Sequence, residues 1–101
     1  MLREEVIAKL NSVLVQYPVK RAALFGSYAR GEYTAESDVD IVVAFHTDSP
    51  GLMFFSLWTD LNEAIGLPID LVSESGLNRM ESNFQTNLRR EEIVIYEAGV
   101  E

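Results

Sequence analysis

Between Asp38 and Phe45, the residues Val39, Ile41, Val43 and Phe45 alternate with Asp38, Asp40, Val42 and Ala44. This is the two-residue period of a β-strand with one wholly apolar face. The other face carries two aspartates, and they constrain the fold more than any other feature of the chain. Carboxylates are depleted in strands and costly to bury unpaired, so this face must either be solvated or hold a cation. Both side chains leave the same face, with Cα atoms roughly 6.5 to 7 Å apart. Without a cation the two like charges repel, and one pKa is expected to rise. The plain alternative is the solvent-facing side of an edge strand.

Around this strand the pattern predicts alternating elements. Leu2, Val6, Leu10, Val13 and Leu14 recur at helical spacing and Pro18 forbids continuation, so a first helix is expected over residues 2–16. Lys20–Phe25 reads as a short buried strand ending at Gly26, followed by one or two helical turns closed by Gly31. Ser49 is expected as an N-cap with Pro50 at the first helical position, and Phe54, Leu57, Trp58, Leu61, Ala64 and Ile65 form that helix's apolar face up to Gly66. Its first half, Leu52–Trp58, is apolar on too many sides for a simple surface helix. Full burial is the expected explanation, and a face turned to a partner is the alternative. Ile69–Val72 reads as a third strand, Ser75 opens a helical pattern through Leu77, Met80, Phe84 and Leu88, and Glu92–Glu97 reads as a terminal strand. The order α-β-α-β-α-β-α-β predicts one α/β (α+β) domain over residues 1–101, a small mixed β-sheet flanked by helices.

Composition narrows the chemistry. The chain has no cysteine and one histidine, His46, which argues against thiolate or histidine zinc sites, disulfides and a Ser-His-Asp triad. Sixteen acidic against eight basic residues give a formal net charge of −8, which disfavours attraction to nucleic acid and suits a basic protein partner or a metal–nucleotide complex. No apolar run reaches the roughly 20 residues that span a bilayer. Glu4 and Glu5 stand where a signal peptide would be apolar, so a cytoplasmic protein is expected.

Asp70, within "PIDLV", is a third strand carboxylate, and it joins the first two if its strand lies beside theirs. Three carboxylates without His or Cys select a hard cation, Mg2+ or Mn2+, whose remaining ligands are water and phosphate oxygens. Gly26-Ser27 supplies the anion side, because a glycine after a strand lets phosphate approach the backbone and a serine opening a helical turn offers its hydroxyl. An ordinary β-to-α turn is the alternative for that pair. Arg30 could steady a phosphate or pair with Asp38 or Glu32. Ser37 is expected to hold the turn before the strand, or to orient Asp38. His46 reads as a surface residue, and Arg89-Arg90 with Glu91-Glu92 as a solvated charge cluster.

Gly26-Ser27 followed after ten residues by Asp38-x-Asp40, within "GSYARGE…SDVDIVV", resembles the signature of the nucleotidyltransferase superfamily that includes DNA polymerase beta. The later Asp70 and the short chain are similar to its minimal nucleotidyltransferase (MNT) branch. The resemblance implies the nucleotidyltransferase fold, with Gly26 and Ser27 at the triphosphate of ATP, Asp38 and Asp40 at two Mg2+ ions, and Asp70 completing the catalytic site. In that branch such domains resemble antitoxins paired with HEPN-type RNase toxins, some of which transfer AMP to a toxin tyrosine. The implied function is therefore a Mg-dependent protein adenylyltransferase acting as an antitoxin, with no direct nucleic-acid or membrane partner. Two rivals remain: an antitoxin that works by occlusion without catalysis, and a small-molecule nucleotidyltransferase of the antibiotic-modifying kind.

Overall fold

In the computed structural model, which describes residues 2–47, 49–77, 86 and 90–98, the elements follow the expected order. They are α1 (Arg3–Leu14), β1 (Val19–Phe25), α2 (Gly26–Arg30), β2 (Val39–Phe45), α3 (Leu52–Ile65), β3 (Ile69–Ser73), α4 (Glu74–Leu77) and β4 (Ile93–Glu97). The four strands form one mixed sheet of order β3-β2-β1-β4. β1 pairs antiparallel with both β2 and β4, while β2 and β3 run parallel, joined by the crossover through α3. β2 is thus an interior strand, which overturns the edge-strand alternative for Asp38 and Asp40.

The two faces of β2 lead to two cores. Val39, Ile41, Val43 and Phe45 pack with Val6, Leu10 and Leu14 of α1 and with Leu57, Leu61 and Ile65 of α3. On the other face Val42 packs with Ala23 and with Leu77 of α4. Among the described residues, two helices therefore pack on one face, whereas α4 packs against the middle of the other. The polar end of that second face is where Asp40 lies. Leu61 is wholly buried in the larger core, so Leu61→Ala is expected to cost about 2–5 kcal/mol in urea unfolding at 25 °C.

Several boundaries differ from the sequence expectation. β2 begins at Val39, leaving Asp38 in the connector just before it. The helix expected to start with Ser49 as its cap and Pro50 in its first turn starts instead at Leu52, because Gly51 adopts φ 60°, ψ −131° and cannot belong to a helix. Pro50 and Gly51 still contribute, since their carbonyls accept the N–H groups of Met53 and Phe54. Gly66 ends α3 in the left-handed region, φ 73°, as expected. Expected full burial of Leu52–Trp58 is not observed: Leu52 is 82% exposed, Phe55 65% and Trp58 43%. The sheet lies on only one side of α3, so the helix's other side stays outside the core. Of the helical pattern after Ser75, Met80, Phe84 and Leu88 lie outside the described residues, as does Arg89.

Candidate active site

Sheet pairing brings the expected residues to one place. Phe25 of β1 is the register partner of Asp40 across the antiparallel pair, which sets Gly26, the next residue, beside the Asp40 side chain. In the parallel pair Asp40 faces Asp70 directly. The order across the sheet is therefore glycine turn, interior aspartate, outer aspartate.

Gly26 is the tightest point of this arrangement. It holds φ 69°, and a Cβ built there would stand 3.1 Å from Asp40 Cγ and closer still to Oδ2. Backbone and carboxylate touch because no side chain separates them. From here α2 rises for five residues, carrying Ser27, and closes at Gly31 with φ 76°. Its Tyr28 is fully buried and stacks on Tyr33, ring centroids 4.3 Å apart and 8° from parallel. Arg3 ties this short helix to α1, since its guanidinium donates to the carbonyls of Tyr28 and Ala29. The glycine turn is thereby fixed from behind.

Asp40 is half-buried and its carboxyl is pushed up to about 6. Burial is the main cause, followed by the negative charges of Asp70 and Asp38 and a hydrogen bond with Asp70, while the Arg30 guanidinium pulls the other way. The sequence pattern predicts a rise from like-charge repulsion, which here acts second to burial. Asp38 is exposed in the connector before β2, and Asp70 is exposed on the outer strand.

Arg30 is held by two glutamates, 2.6 Å from Glu32 and 3.3 Å from Glu91, rather than by Asp38. The Glu32 partner is expected from the sequence, whereas Glu91 belongs to the cluster that reads there as solvated. Ser37 holds its turn, accepting from the Thr34 N–H at 2.8 Å and donating its own N–H to the Thr34 carbonyl at 3.2 Å. No hydrogen bond from Ser37 to Asp38 is found among the described residues. His46 is exposed.

As they stand, no three acidic or histidine side chains among the described residues are gathered closely enough to hold a metal ion. The donors nevertheless fit a hard divalent cation. Asp40 and Asp70 form a close pair whose repulsion a cation would relieve, and Asp38 lies near enough to act on Asp40. All three are carboxylates, the ligand type such ions prefer. Beyond Asp70, an open apolar cavity of about 260 Å3 is lined by Phe54, Phe55, Trp58, Ile69, Asp70 and Leu71. A second cavity, about 270 Å3 and lined partly by Lys20, Arg21, Ala44, Thr47 and Glu74, sits at the opposite ends of β1 and β2 and includes none of the candidate site residues.

A mixed sheet with a glycine turn pressed against paired strand carboxylates defines a nucleotidyltransferase-type domain. The chain belongs to the Polymerase beta, Nucleotidyltransferase family, which it matches over residues 8–100. It is 39% identical over 75 residues, 73% of this chain and 76% of the relative, to a Methanocaldococcus jannaschii protein named as a candidate protein adenylyltransferase. A solved structure described as a candidate minimal nucleotidyltransferase superposes with TM-score 0.75 at 32% identity, covering 92% of this chain and 95% of that one. The fold also matches that in a solved complex of tri-AMPylated Shewanella oneidensis HEPN toxin with MNT antitoxin, at TM-score 0.68 and 18% identity, covering 96% of this chain and 74% of that one. Among the described residues no helix is long and apolar enough to cross a membrane.

Proposed function

We propose that this chain is a protein adenylyltransferase that transfers AMP from ATP to a hydroxyl, a tyrosine by the family resemblance, on a HEPN-type toxin, and so acts as its antitoxin. The observation that carries the reading is the Asp40–Asp70 carboxylate pair set against the Gly26 turn. A relative at 39% identity named as a candidate protein adenylyltransferase supports the acceptor class. The solved complex of an AMPylated HEPN toxin with an MNT antitoxin supports the partner.

In this reading Gly26 and Ser27 receive the triphosphate, the glycine by letting it approach the backbone and the serine through its hydroxyl. Asp38, Asp40 and Asp70 would hold two Mg2+ ions, or Mn2+. Bound there, the divalent cations supply Lewis-acid neutralisation of the phosphate charge and lower the pKa of the attacking hydroxyl. In this reading Asp70, on the outer strand, orients that hydroxyl and accepts its proton. The hydroxyl oxygen attacks the α-phosphorus, the new P–O bond forms as the bond to pyrophosphate breaks, and pyrophosphate leaves on the Gly26-Ser27 side. Arg30 exchanges a glutamate for a phosphate oxygen, which its exposed position between Glu32 and Glu91 permits.

The test is intact-mass spectrometry of the cognate HEPN-type protein after co-expression with the chain, and after incubation with ATP and Mg2+. Wild type is expected to add one or more AMP units, and Asp38→Ala/Asp40→Ala none. An unmodified partner that binds both forms equally would overturn transfer and leave occlusion as the mode of neutralisation.

A further inference from the structure

We infer that Arg3 is a positioning residue for the Gly26-Ser27 turn, clamping α2 and the connector after it so that the turn is already formed when the β- and γ-phosphates of ATP arrive. This rests on the adenylyltransferase reading and extends that site to a residue of α1.

α2 cannot hold itself. It is five residues long, Gly26–Arg30, whereas isolated helices shorter than about 12–15 residues are marginal in water. Nor can it satisfy its own last carbonyls, since the final four C=O groups of a helix have no partner within it. The carbonyls of Tyr28 and Ala29 are two of these, and the Arg3 guanidinium donates to both, at 3.2 and 3.3 Å. The backbone N–H of Arg3, one of the donors that the first turn of α1 leaves without an intrahelical acceptor, donates to Tyr33 Oη at 3.1 Å. Tyr33 in turn stacks on Tyr28, whose ring is buried in the larger core. One residue of α1 therefore grips both α2 and the chain that follows it.

Arg3 is poorly placed for its own helix. A cation in the first turn opposes the helix dipole, and Glu4 and Glu5 are the favourable charges there. For α2 the same cation is well placed, because it meets the C-terminal carbonyls. Closure of that end bears directly on Ser27, whose carbonyl accepts the N–H groups of both Gly31 and Glu32. A looser end of α2 thus frees the residue whose hydroxyl is assigned to phosphate. Where a binding-competent turn is formed in only a fraction of molecules, apparent affinity for its ligand falls by that fraction. The cation side is built separately, on β2, β3 and the connector before β2, and the charges acting on Asp40 are those of Asp70, Asp38 and Arg30. Loss of Arg3 should therefore separate phosphate binding from cation binding.

The experiment compares wild type with three variants. Arg3→Ala removes the clamp, and Tyr33→Phe keeps the stacked ring but removes the acceptor of the Arg3 N–H. Ile65→Val trims the buried core as a control for stability alone. Calorimetry measures binding of ATP with Mg2+, of pyrophosphate with Mg2+ and of Mg2+ alone, and amide exchange is followed at Gly31 and Glu32. Arg3→Ala is expected to raise Kd for ATP and for pyrophosphate by about tenfold, the effect of a turn formed in roughly one molecule in ten, and to speed exchange at both amides. Kd for Mg2+ alone should stay within about twofold of wild type. Tyr33→Phe should shift the same quantities less, and Ile65→Val should shift none of the binding constants. An Arg3→Ala chain that melts lower yet binds ATP and pyrophosphate as wild type does would overturn the proposal. So would a rise shared with Mg2+ alone or matched in Ile65→Val, either of which would make Arg3 a contributor to stability and nothing more. A wild type that binds neither ATP nor pyrophosphate would remove the adenylyltransferase reading instead, and exchange at Gly31 and Glu32 would still decide whether Arg3 holds the turn.

Discussion

Asp40→Asn is expected to raise the melting temperature of the cation-free protein at pH 7.5 while removing AMP transfer. The carboxyl of Asp40 sits at about 6 in the folded protein against 3.8 for the free group, so the fold prefers its protonated form. Between those two values the folded state binds the proton and the unfolded chain releases it. Stability therefore falls as pH rises from about 4 to above 6, and the penalty is complete at neutral pH. A shift of about two units corresponds to roughly 3 kcal/mol, but Asp40 is open to solvent on one side, and screening reduces this to about 1 kcal/mol. For a chain of this size that is about 4–8 °C in melting temperature. Asparagine carries no charge to penalise, so the gain should appear at pH 7.5 and vanish near pH 4.

The same charge is what a cation would use. Mg2+ should raise the melting temperature of wild type at pH 7.5 by mass action and leave Asp40→Asn nearly unmoved. Its affinity should strengthen between pH 5 and 7 as Asp40 loses its proton. Transfer should fall by a factor on the order of 10³ or more, corresponding to the several kcal/mol of charge stabilisation that a correctly held cation supplies. A variant destabilised at neutral pH would contradict the burial and like-charge crowding that raise this carboxyl. Full activity in the variant would remove Asp40 from the catalytic site.

What the sequence makes legible here is local, and what it hides is long-range. The strand period around Asp40 needs no partner to be read, and neither does the glycine turn before Tyr28. That Asp70 would stand opposite Asp40 depends on β2 and β3 pairing in parallel, a contact across thirty residues that no local pattern encodes. Arg30 shows the same division, since Glu32 lies two residues away and Glu91 sixty-one. The Ser49-Pro50 pair has the chemistry of a helix start, but Gly51 takes a positive φ and defers the helix by two residues. Apolar residues around α3 suggest burial on all sides. Yet a helix packed on one face of a sheet can bury only one side, and which residues stay outside follows from its rotation on the sheet.

Gly26→Ala is expected to be the most damaging single-methyl change in the chain. At φ 69° a residue with a Cβ is strained by roughly 1–2 kcal/mol. The added carbon also falls 3.1 Å from Asp40 Cγ and collides with Oδ2, so the carboxylate must leave its position. Displacing a catalytic group by about 1 Å costs on the order of 10²-fold in rate, and transfer to the HEPN-type partner should drop at least that far. The two contributions separate in a double-mutant cycle. With Asp40→Ala as background the collision partner is gone and only the backbone strain remains, so Gly26→Ala should destabilise less there than in wild type. Equal costs in the two backgrounds, measured by urea unfolding, would mean that Gly26 is required for its backbone conformation alone. A smaller cost in the Asp40→Ala background would show that the turn is glycine because the carboxylate occupies the space a side chain would need.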